Sequence, residues 1–319
     1  MILHLKKKLL VLGLSGLTGY KIAKAVNSKY EVYGTFNIRP INLENVISKK
    51  LDITNNDEVN KIFSEIEPDV VINTTALHNV DYCEDNKDQA SKVNTQAIKT
   101  LYENSEKFGS KLIHISTDYV FDGKRKIPYG EDDQAIPLSY YGQSKLEGEK
   151  ILADSNHVIV RPSVVYGWTP LELAGITSSS GKPMNFAMWV LTKLHKNEPL
   201  KIVTDQFASA TLADSLAESI LKIAESNKSG LYHISGLSCE SRYDFTIKLA
   251  EKFGYDGSII SPVTSEGFVQ KAKRPLYSCL NCQRALKEFE LNLLTTDKAL
   301  DIMKNQVENE APHLLGNHK

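Results

Sequence analysis

The sequence predicts an α/β protein in which a doubly wound parallel sheet is joined to a smaller C-terminal α/β lobe. Short apolar runs recur along the first half of the chain, each about as long as a strand that is buried on both faces. Segments with helical periodicity separate these runs, and this alternation is typical of parallel strands joined by right-handed helical crossovers. In addition, the first apolar run leads directly into a glycine-rich turn and a helix.

Composition and charge favour a globular protein that binds a small molecule. Hydrophobic residues make up 41% of the 319 residues, which is enough for a sizeable core. The formal net charge of −1 offers no basic surface for nucleic acid or an acidic membrane. The charges of Met1–Lys8 precede an apolar run as in a signal peptide, but that run ends at Gly13 without a cleavage site. No segment approaches the roughly 18 apolar residues that cross a bilayer, so we expect a cytoplasmic protein without membrane contact.

The four cysteines are Cys83, Cys239, Cys279 and Cys282. Cys279 and Cys282 have the spacing of metal ligands, but no second pair or histidine cluster completes a tetrahedral site. We therefore expect small, partly buried thiols and no metal.

The first strand is predicted at Leu9–Leu12, followed by Gly13, Gly16 and Gly19 and by a helix over 20–26. Glycine lets the backbone turn sharply and approach a pyrophosphate, whose charge the N-terminus of the helix then stabilises. Strand, glycine turn and helix in this sequence are the context of dinucleotide binding. We therefore predict a Rossmann-type domain; a glycine turn without a ligand is the alternative.

The second strand is predicted at Glu31–Phe36 and ends where the adenosine ribose of a dinucleotide would lie. NAD sites usually place a carboxylate there to bind the 2′-hydroxyl. This chain has Asn37 and Arg39 instead, and an arginine can bind a 2′-phosphate. We therefore expect NADP(H) to be preferred, with NAD(H) as a second, weaker cofactor.

Two further apolar segments are predicted to reach the same edge of the sheet. Lys50–Ile53 is either a strand end, with Asp52 placed to accept from an adenine amino group, or the N-cap region of the helix over 55–63. Pro68–Ala76 is a buried strand with a polar, small-residue exit that allows close packing against a cofactor.

The next strand is predicted within the segment 111–121, and it stops at the hydroxyl residues Ser116 and Thr117. Doubly wound sheets bind ligands at the carboxyl ends of their strands. Thr117 is therefore a candidate donor to a substrate carbonyl oxygen, and a strand-end cap is the alternative.

Tyr141 and Lys145 stand one turn apart if this segment is helical, so an ammonium can lie beside a phenol. A neighbouring cation favours phenolate and lowers the pKa of a tyrosine, which makes proton donation and recapture feasible near neutral pH. Tyr141 is therefore our candidate general acid. The same spacing occurs at Tyr20 and Lys24, so the spacing alone does not identify a site.

The composition changes after a last strand at Val158–Val160 and the segment that ends at Gly167. The order there is a loop rich in Ser, Thr, Gly and Pro over 168–183, a helix over 185–195, a strand over 200–203, a helix over 213–225 and a strand over 232–236. We predict an NAD(P)-binding domain over 1–167, to which a segment near 206–236 returns, and a substrate lobe over 168–304. The polar tail over 305–319 is expected to be loosely ordered.

These motifs together resemble the extended short-chain dehydrogenase/reductase family, and most closely its dTDP-4-dehydrorhamnose reductases. The resemblance rests on the glycine spacing, on Tyr141-x-x-x-Lys145, and on the segments 116–123, 137–149, 205–211 and 273–278. It covers the chain from Leu9 to about Lys298. Ala208 and Ala210 stand where relatives often have Gly and Pro, and the insertion at 177–183 is longer than usual. These departures concern the substrate side.

The resemblance implies reduction of the 4-keto group of a nucleotide-activated deoxysugar by NADPH. Thr117, Tyr141 and Lys145 would form the catalytic set, with Tyr141 as proton donor and Lys145 also on the nicotinamide ribose. Cofactor contacts would come from the glycine turn and from residues near the strand ends: Gly13, Ser15, Gly16, Leu17, Thr18, Gly19, Asn37, Arg39, Asp52, Ile53, Thr75, Ala76, Asn94, Ser116, Tyr141, Lys145, Pro162, Ser163 and Val164. Substrate contacts would come from His78, Val80, Asp118, Tyr119, Asn185, Gln206 and Arg274.

Two other functions are compatible with the same residues. The non-catalytic regulatory subunit of methionine adenosyltransferase resembles this family and binds NADP, so a cofactor site does not prove turnover. An epimerase that recycles NAD is disfavoured by Asn37 and Arg39. Some family members bind magnesium at a subunit contact, but no acidic cluster marks such a site here, and a homodimer is left open.

Overall fold

The computed structural model describes residues 6–170, 185–267 and 270–316. Its centre is a seven-stranded sheet with the strand order β3-β2-β1-β4-β5-β6-β11, and every neighbouring pair in it is parallel. These strands are β1 (Lys7–Leu12), β2 (Tyr30–Phe36), β3 (Val46–Lys50), β4 (Val70–Asn73), β5 (Lys111–Ile115), β6 (Val158–Arg161) and β11 (Gly230–His233). The strand order reverses between β1 and β4, which is the switch point of a Rossmann-type fold. The predicted fold class is confirmed.

Helices connect the strands and cover both faces of the sheet. They are α1 (Leu17–Ala25), α2 (Asn56–Ile66), α3 (Val80–Asp85), α4 (Lys87–Ser91), α5 (Ala97–Phe108), α6 (Tyr140–Leu152), α7 (Phe186–His195), α8 (Ala213–Glu225), α9 (Arg242–Lys252), α10 (Gln283–Phe289) and α11 (Thr296–Glu310). A π-helical turn, Lys92–Gln96, joins α4 to α5. Strand β11 follows α8, and α8 packs against α1.

The burial of β1 explains why an apolar run forms the central strand. Leu9 and Val11 belong to the core on one face, which also contains Ile220 of α8, whereas Leu10 and Leu12 belong to the core on the other face. These four side chains are fully buried, whereas Lys7 and Lys8 at the start of β1 are not. A strand with alternating side chains that is covered on both faces must therefore be apolar at every position.

The remaining elements form small sheets beside the carboxyl end of the main sheet. The pairs are β7 (Val165–Tyr166) with β10 (Thr211–Leu212), β8 (Leu200–Val203) with β13 (Ile260–Val263), and β9 (Phe207–Ala208) with β12 (Glu240–Ser241). A separate core joins the first two of these pairs to α7, α9 and α11 through side chains such as Trp168, Leu249 and Met303. The proposed domain boundaries themselves stay a prediction, and residues 171–184 of the expected loop, with its insertion, lie outside the described residues.

The prediction of a loosely ordered tail over 305–319 is wrong for residues 305–316, which the structure describes. Helix α11 runs from Thr296 to Glu310 and is followed by a 3-10 turn, Pro312–Leu314. Val307 and Ala311 are fully buried in the second core. The tail is polar on average, but its few apolar residues share one helical face, and this periodicity decides the structure.

The cysteines also differ from expectation, because Cys239 and Cys279 form a disulfide. Cys83 and Cys282 are buried thiols. Across the described residues, no group of three or more His, Cys, Asp or Glu side chains is placed to hold a metal ion. Within the same three ranges, no helix has the length and apolar character needed to cross a membrane.

An ion pair buried beside the sheet fixes α6. The Arg161 guanidinium on β6 binds Glu149 of α6 through two hydrogen bonds, Nε to Oε1 at 2.8 Å and Nη2 to Oε2 at 2.5 Å. Both side chains are about 95% buried, and the guanidinium also lies 5.1 Å from the centre of the Phe121 ring. The pair therefore attaches the helix that presents Tyr141 to the strand beneath it.

Candidate active site

A cleft of about 680 Å³ lies at the carboxyl ends of the parallel strands, between the main sheet and the smaller C-terminal elements. Its size is within the range of small-molecule sites. Many of the predicted site residues line it: Gly16, Leu17, Thr18, Ala76, His78, Val80, Ser116, Thr117, Asp118, Tyr119, Tyr141, Lys145, Pro162, Val164, Asn185, Gln206 and Arg274. The structure therefore brings the glycine turn, the catalytic candidates and the substrate candidates to one cavity.

The glycine turn suits a pyrophosphate. Gly13 adopts a φ of +88°, which favours glycine, and a Cβ at Gly19 would lie 2.3 Å from the Gly13 carbonyl oxygen. Packing within the protein therefore explains these two glycines. At Gly16 a Cβ would meet nothing closer than 3.4 Å, although Gly16 lines the cleft and is the N-cap of α1 without a side-chain cap. A glycine that the protein's own packing does not require fits the close approach of a phosphate to a helix N-terminus.

The end of β2 lies beside this turn. Leu12 of β1 is paired with Thr35 of β2, and the Leu14 backbone N–H donates to the Thr35 carbonyl oxygen at 2.7 Å. Asn37 and Arg39 follow within four residues, with Asn37 exposed and Arg39 partly exposed. They do not line the described cleft itself, but they lie at the edge next to the glycine turn, where the adenosine end of a dinucleotide would extend.

Thr117 and Tyr141, the two hydroxyl residues predicted to be catalytic, both line the cleft. Thr117 follows β5, and Tyr141 lies in the first turn of α6, where Ser139 Oγ caps the helix by accepting from the Gly142 N–H at 3.3 Å. The two hydroxyls are hydrogen-bonded to one another. The Tyr119 ring packs edge-on against the Tyr141 ring, with 5.9 Å between centroids. The phenol is therefore held in one orientation at the edge of the cavity.

The pKa of Tyr141 is shifted in the direction opposite to our expectation. Removal from water raises it, the Asp118 carboxylate raises it further, and the hydrogen bond with Thr117 only partly opposes this. Lys145 does not lower the pKa of Tyr141 as expected, because its side-chain nitrogen contacts other groups. Lys145 Nζ donates to the Ile115 carbonyl oxygen at 2.7 Å and lies 3.1 Å from His114 Nε2.

Asp118 connects the site to two distant parts of the chain. This buried carboxylate accepts hydrogen bonds from Ser163 Oγ at 2.8 Å, Ser278 Oγ at 2.6 Å and Thr117 Oγ1 at 3.2 Å. Burial raises its pKa, and the three hydroxyls and Arg242 oppose the shift. Asp118 therefore orients Thr117 as well as lining the cleft.

Several predicted cofactor residues lie behind the wall of the cleft. Asn94 and Ser163 are fully buried, because Asn94 bonds to the Leu77 backbone and to Ser144, and Ser163 bonds to Asp118. Asp52 lies two residues after the end of β3 and three residues before Asn55, the N-cap of α2, and its Oδ1 accepts from the Thr54 backbone N–H at 2.9 Å and from Thr54 Oγ1 at 2.7 Å. The predicted residues that do not line the described cleft are Gly13, Ser15, Gly19, Asn37, Arg39, Asp52, Ile53, Thr75, Asn94 and Ser163.

On the substrate side, two predicted residues are held by the protein itself. Arg274 Nη2 donates to Asp81 Oδ2 at 2.7 Å, and both residues line the cleft. Asn185 caps α7 by accepting from the Met188 N–H at 3.1 Å and donates to the Gly167 carbonyl oxygen at 3.0 Å. These contacts fix the walls against which a substrate would rest.

Sequence reasoning missed the aromatic and basic residues that α7, α9 and β8 supply to this side. Phe186 and Trp189 line the cleft, together with Lys201 and Arg242. The Arg242 guanidinium lies 4.9 Å from the centre of the Phe186 ring. No motif marks these residues, because an aromatic residue in an amphipathic helix and a basic residue at a helix start are common for structural reasons. The two cations, with Arg274, make this part of the cleft suitable for an anion.

With this geometry in place, comparison with known proteins decides the family. The model described as the RmlD substrate binding domain matches residues 7–309. The chain belongs to this family. A spore coat polysaccharide biosynthesis protein of Bacillus subtilis is 33% identical over 284 residues, 88% of this chain and 91% of that protein. The dTDP-4-dehydrorhamnose reductase of Aggregatibacter actinomycetemcomitans is 31% identical over 316 residues, 94% of this chain and 99% of that enzyme.

Solved structures agree with membership of the RmlD substrate binding family. The dTDP-4-dehydrorhamnose reductase of Bacillus anthracis, solved in complex with NADP, has a TM-score of 0.81 at 27% identity and covers 95% of this chain and 100% of that chain. The UDP-glucose 4-epimerase of Thermotoga maritima has a TM-score of 0.80 at 19% identity, covers 95% and 99%, and shows the shared fold alone.

Proposed function

We propose that this protein is an NADPH-dependent reductase of the 4-keto group of a dTDP-activated deoxysugar. The observation that carries the proposal is the position of the Thr117 and Tyr141 hydroxyls on the same cleft as the glycine turn of α1. Relatives named dTDP-4-dehydrorhamnose reductase, which align over most of the chain, support the substrate class. The fit of Gly16 to a phosphate and a relative solved with NADP support the cofactor.

NADPH, when bound, supplies the hydride; the rest of the chemistry belongs to the side chains of this protein. Tyr141 donates its proton to the keto oxygen, and its raised pKa keeps that proton available throughout the neutral range. The Thr117 hydroxyl turns from Asp118 towards the same oxygen and stabilises the charge that develops there. Lys145, one helical turn after Tyr141, also lines the cleft and would hold the nicotinamide ribose of the bound cofactor.

The substrate would occupy the side of the cleft formed by α7, α9 and β8. A diphosphate between the base and the sugar carries negative charge, and Arg242, Lys201 and Arg274 provide positive charge there. Trp189 and Phe186 offer aromatic faces on which a base can stack. His78 and Val80, from the segment after β4, and Tyr119, from the turn after β5, would surround the sugar.

The two alternative functions, a regulatory subunit and an epimerase that recycles NAD, receive less support. A regulatory subunit would need the cofactor site but no acid, whereas here the Thr117 and Tyr141 hydroxyls are placed together at the cleft. An epimerase that recycles NAD would not need a cation near the adenosine ribose, and Arg39 lies at that edge. Enzymatic reduction is therefore the function that the arrangement supports best.

A panel assay tests the function directly. The protein is incubated with NADPH and with dTDP-, UDP- and GDP-linked 4-ketosugars, and absorbance of the reduced nicotinamide is followed. We expect stoichiometric oxidation of NADPH with the dTDP-linked sugar. Turnover without net loss of NADPH would support the epimerase, and no turnover with tight co-purification of a synthetase would support the regulatory subunit.

Arg39 is expected to determine cofactor choice. A charge-assisted hydrogen bond contributes about 1.5–3 kcal/mol, which corresponds to roughly a 10- to 100-fold change in affinity. In Arg39→Ala we therefore expect the KM for NADPH to rise by at least about tenfold, because the 2′-phosphate loses its partner. The KM for NADH serves as the internal control and should stay the same. An unchanged KM for NADPH would contradict this role for Arg39.

Arg242 is expected to bind the diphosphate of the substrate. Arg242→Gln should raise the KM for the dTDP-sugar by roughly tenfold or more, since a neutral amide cannot replace the charge. The Kd for NADPH, measured by nicotinamide fluorescence, should not change. Arg284→Gln is the matched control, because Arg284 lies outside the cleft in an ion pair with the exposed Asp132.

We further propose a cytoplasmic site of action, because a sugar diphosphate and NADPH are both charged and must be present together. A homodimer is compatible with the fold, and the oligomeric state can be measured by light scattering. In the reducing cytoplasm we expect Cys239 and Cys279 to be present as thiols for part of the time.

A further inference from the structure

A short helix, α3 (Val80–Asp85), carries two carboxylates that contact different parts of the site. Asp81 lines the cleft, whereas Glu84 is partly exposed and does not line it. The two residues are three positions apart, and side chains at this spacing are neighbours on one face of a helix. Asn79 caps the helix by accepting from the Tyr82 N–H at 3.2 Å, so neither carboxylate is needed as the cap of α3.

Asp81 holds the segment that carries Arg274. Its Oδ1 accepts from the Ala272 backbone N–H at 3.0 Å, and its Oδ2 accepts from Arg274 Nη2 at 2.7 Å. Arg274 Nη1 in turn donates to the Ala272 carbonyl oxygen at 2.9 Å, and the arginine side chain is only 10% exposed. One carboxylate therefore fixes both the backbone and the guanidinium of residues 272–274, which we call the Arg274 wall.

Glu84 holds the first turn of α6. Its Oε1 accepts from the backbone N–H of Tyr140, the first residue of that helix, at 2.8 Å. The first N–H groups of a helix have no partner within the helix, and a negative charge is favoured at this end. Ser139 accepts from the Gly142 N–H, so the local sequence satisfies one of these donors and α3 satisfies another.

Two further contacts place the same turn. A Cβ at Gly142 would lie 2.2 Å from the Tyr119 carbonyl oxygen, so the α6 backbone lies directly against the turn that follows β5. Tyr140 and Tyr141 also pack against the small core cluster that contains Cys83 of α3. The phenol of Tyr141 is therefore carried by a turn whose first N–H group is held from α3.

We propose that Glu84 is a positioning residue that sets the Tyr141 phenol relative to a substrate held by the Arg274 wall. The inference rests on the proposed function, because it concerns proton donation to a bound ketosugar. Such a transfer requires the donor within hydrogen-bond distance of the keto oxygen, and a misplacement of about 1 Å can cost roughly 10²-fold in rate. Because Asp81 and Glu84 belong to one short helix, α3 fixes the acid and the substrate wall with respect to one another.

The first test compares two variants of Glu84. Glu84→Ala removes the acceptor of the Tyr140 N–H, whereas Glu84→Gln keeps an oxygen that can accept it. We expect Glu84→Ala to lower kcat at least about tenfold. The value of kcat/KM for the dTDP-sugar should fall by the same factor, because the contact acts on the transition state. Glu84→Gln should restore most of the wild-type kcat.

Asp85→Ala is the matched control, because it also removes a carboxylate from α3. Asp85 pairs with Lys271, and the two side chains are 54% and 55% exposed. An exposed pair of this kind contributes little to stability, so kcat and KM should stay near those of the wild type. All rates are expressed per NADPH-binding site, measured by fluorescence titration, so that an unfolded fraction does not count as a loss of kcat.

Asp81→Ala should show the opposite kinetic effect. The Arg274 wall loses its acceptor, so the KM for the dTDP-sugar should rise several-fold, with a smaller change in kcat than in Glu84→Ala. Wild-type kcat in Glu84→Ala would overturn the proposal. A loss in Glu84→Gln equal to that in Glu84→Ala would also overturn it, because the hydrogen bond would then not be the cause. The same changes of kcat and KM in Asp81→Ala and Glu84→Ala would show general loosening of α3 and contradict separate roles.

A second measurement needs no substrate. Hydrogen–deuterium exchange of the peptide over 139–143 reports on the first turn of α6. It should be faster in Glu84→Ala than in the wild type, Glu84→Gln and Asp85→Ala. Unchanged exchange in Glu84→Ala would overturn the placement of α6 by Glu84. If exchange changes as expected but the wild type reduces no ketosugar, the proposed function fails while the contact between α3 and α6 stands.

Discussion

Replacing Tyr141 by Phe should lower kcat for ketosugar reduction by roughly 10²–10⁴. The change removes one oxygen atom and retains the ring that packs against Tyr119 at 5.9 Å. The keto oxygen then receives no proton as hydride arrives, while Thr117 still provides some stabilisation. Binding of NADPH, measured by fluorescence titration, should be retained because the glycine turn is unaffected.

Tyr140→Phe is the matched control for this experiment. Tyr140 is the adjacent residue of α6, but it does not line the cleft, and its ring faces Lys87 at 5.4 Å. We expect turnover near that of the wild type. Near-normal turnover in Tyr141→Phe would refute the role of Tyr141 as the acid, and an equal loss in Tyr140→Phe would point to disruption of the helix.

Replacing Arg161 by Met should lower the free energy of unfolding by about 3–5 kcal/mol. The substitution leaves the Glu149 carboxylate buried without its partner, and it removes the contact with the Phe121 ring. Urea denaturation monitored by circular dichroism measures the loss. The double variant Arg161→Met with Glu149→Leu should recover most of it, because no buried charge is then left unpaired.

An exposed ion pair provides the comparison. Lys99 and Glu103 lie one turn apart on α5, with side chains that are 70% and 59% exposed. Lys99→Met should change the free energy of unfolding by no more than about 0.5 kcal/mol. Equal effects of Arg161→Met and Lys99→Met would show that burial does not determine the contribution of the Arg161–Glu149 pair.

Much of the fold follows from periodicity alone. The apolar run of β1 is buried on both faces, and the predicted helix over 213–225 has the bounds of α8. Helix α7 begins one residue after the predicted start, because Asn185 is its cap. These elements were predictable because their local pattern and their packing agree. The tail was not, because average polarity hides the single apolar face of α11.

Residues of the cleft that belong to a local pattern could be predicted, such as Gly16 in the glycine turn and Tyr141 and Lys145 one helical turn apart. What could not be predicted is the direction of each side chain. Spacing placed Lys145 on the face of Tyr141, whereas the structure directs its nitrogen to His114 and Ile115. Contacts between residues far apart in the chain, such as Ser278 with Asp118, leave no local pattern at all.

The three hydroxyls around Asp118 have a consequence for the redesign of sugar preference. Ser278 belongs to the C-terminal part of the chain, yet it donates at 2.6 Å to the carboxylate next to Thr117. Consider a chimaera in which the C-terminal part of another family member replaces that of this protein. It keeps the contact with Asp118 only if the other sequence has a hydroxyl residue at the position of Ser278. Without it, the buried carboxylate loses a donor at a cost of about 1–3 kcal/mol. The segment that would be exchanged to alter selectivity therefore also holds the carboxylate that orients the Thr117 hydroxyl.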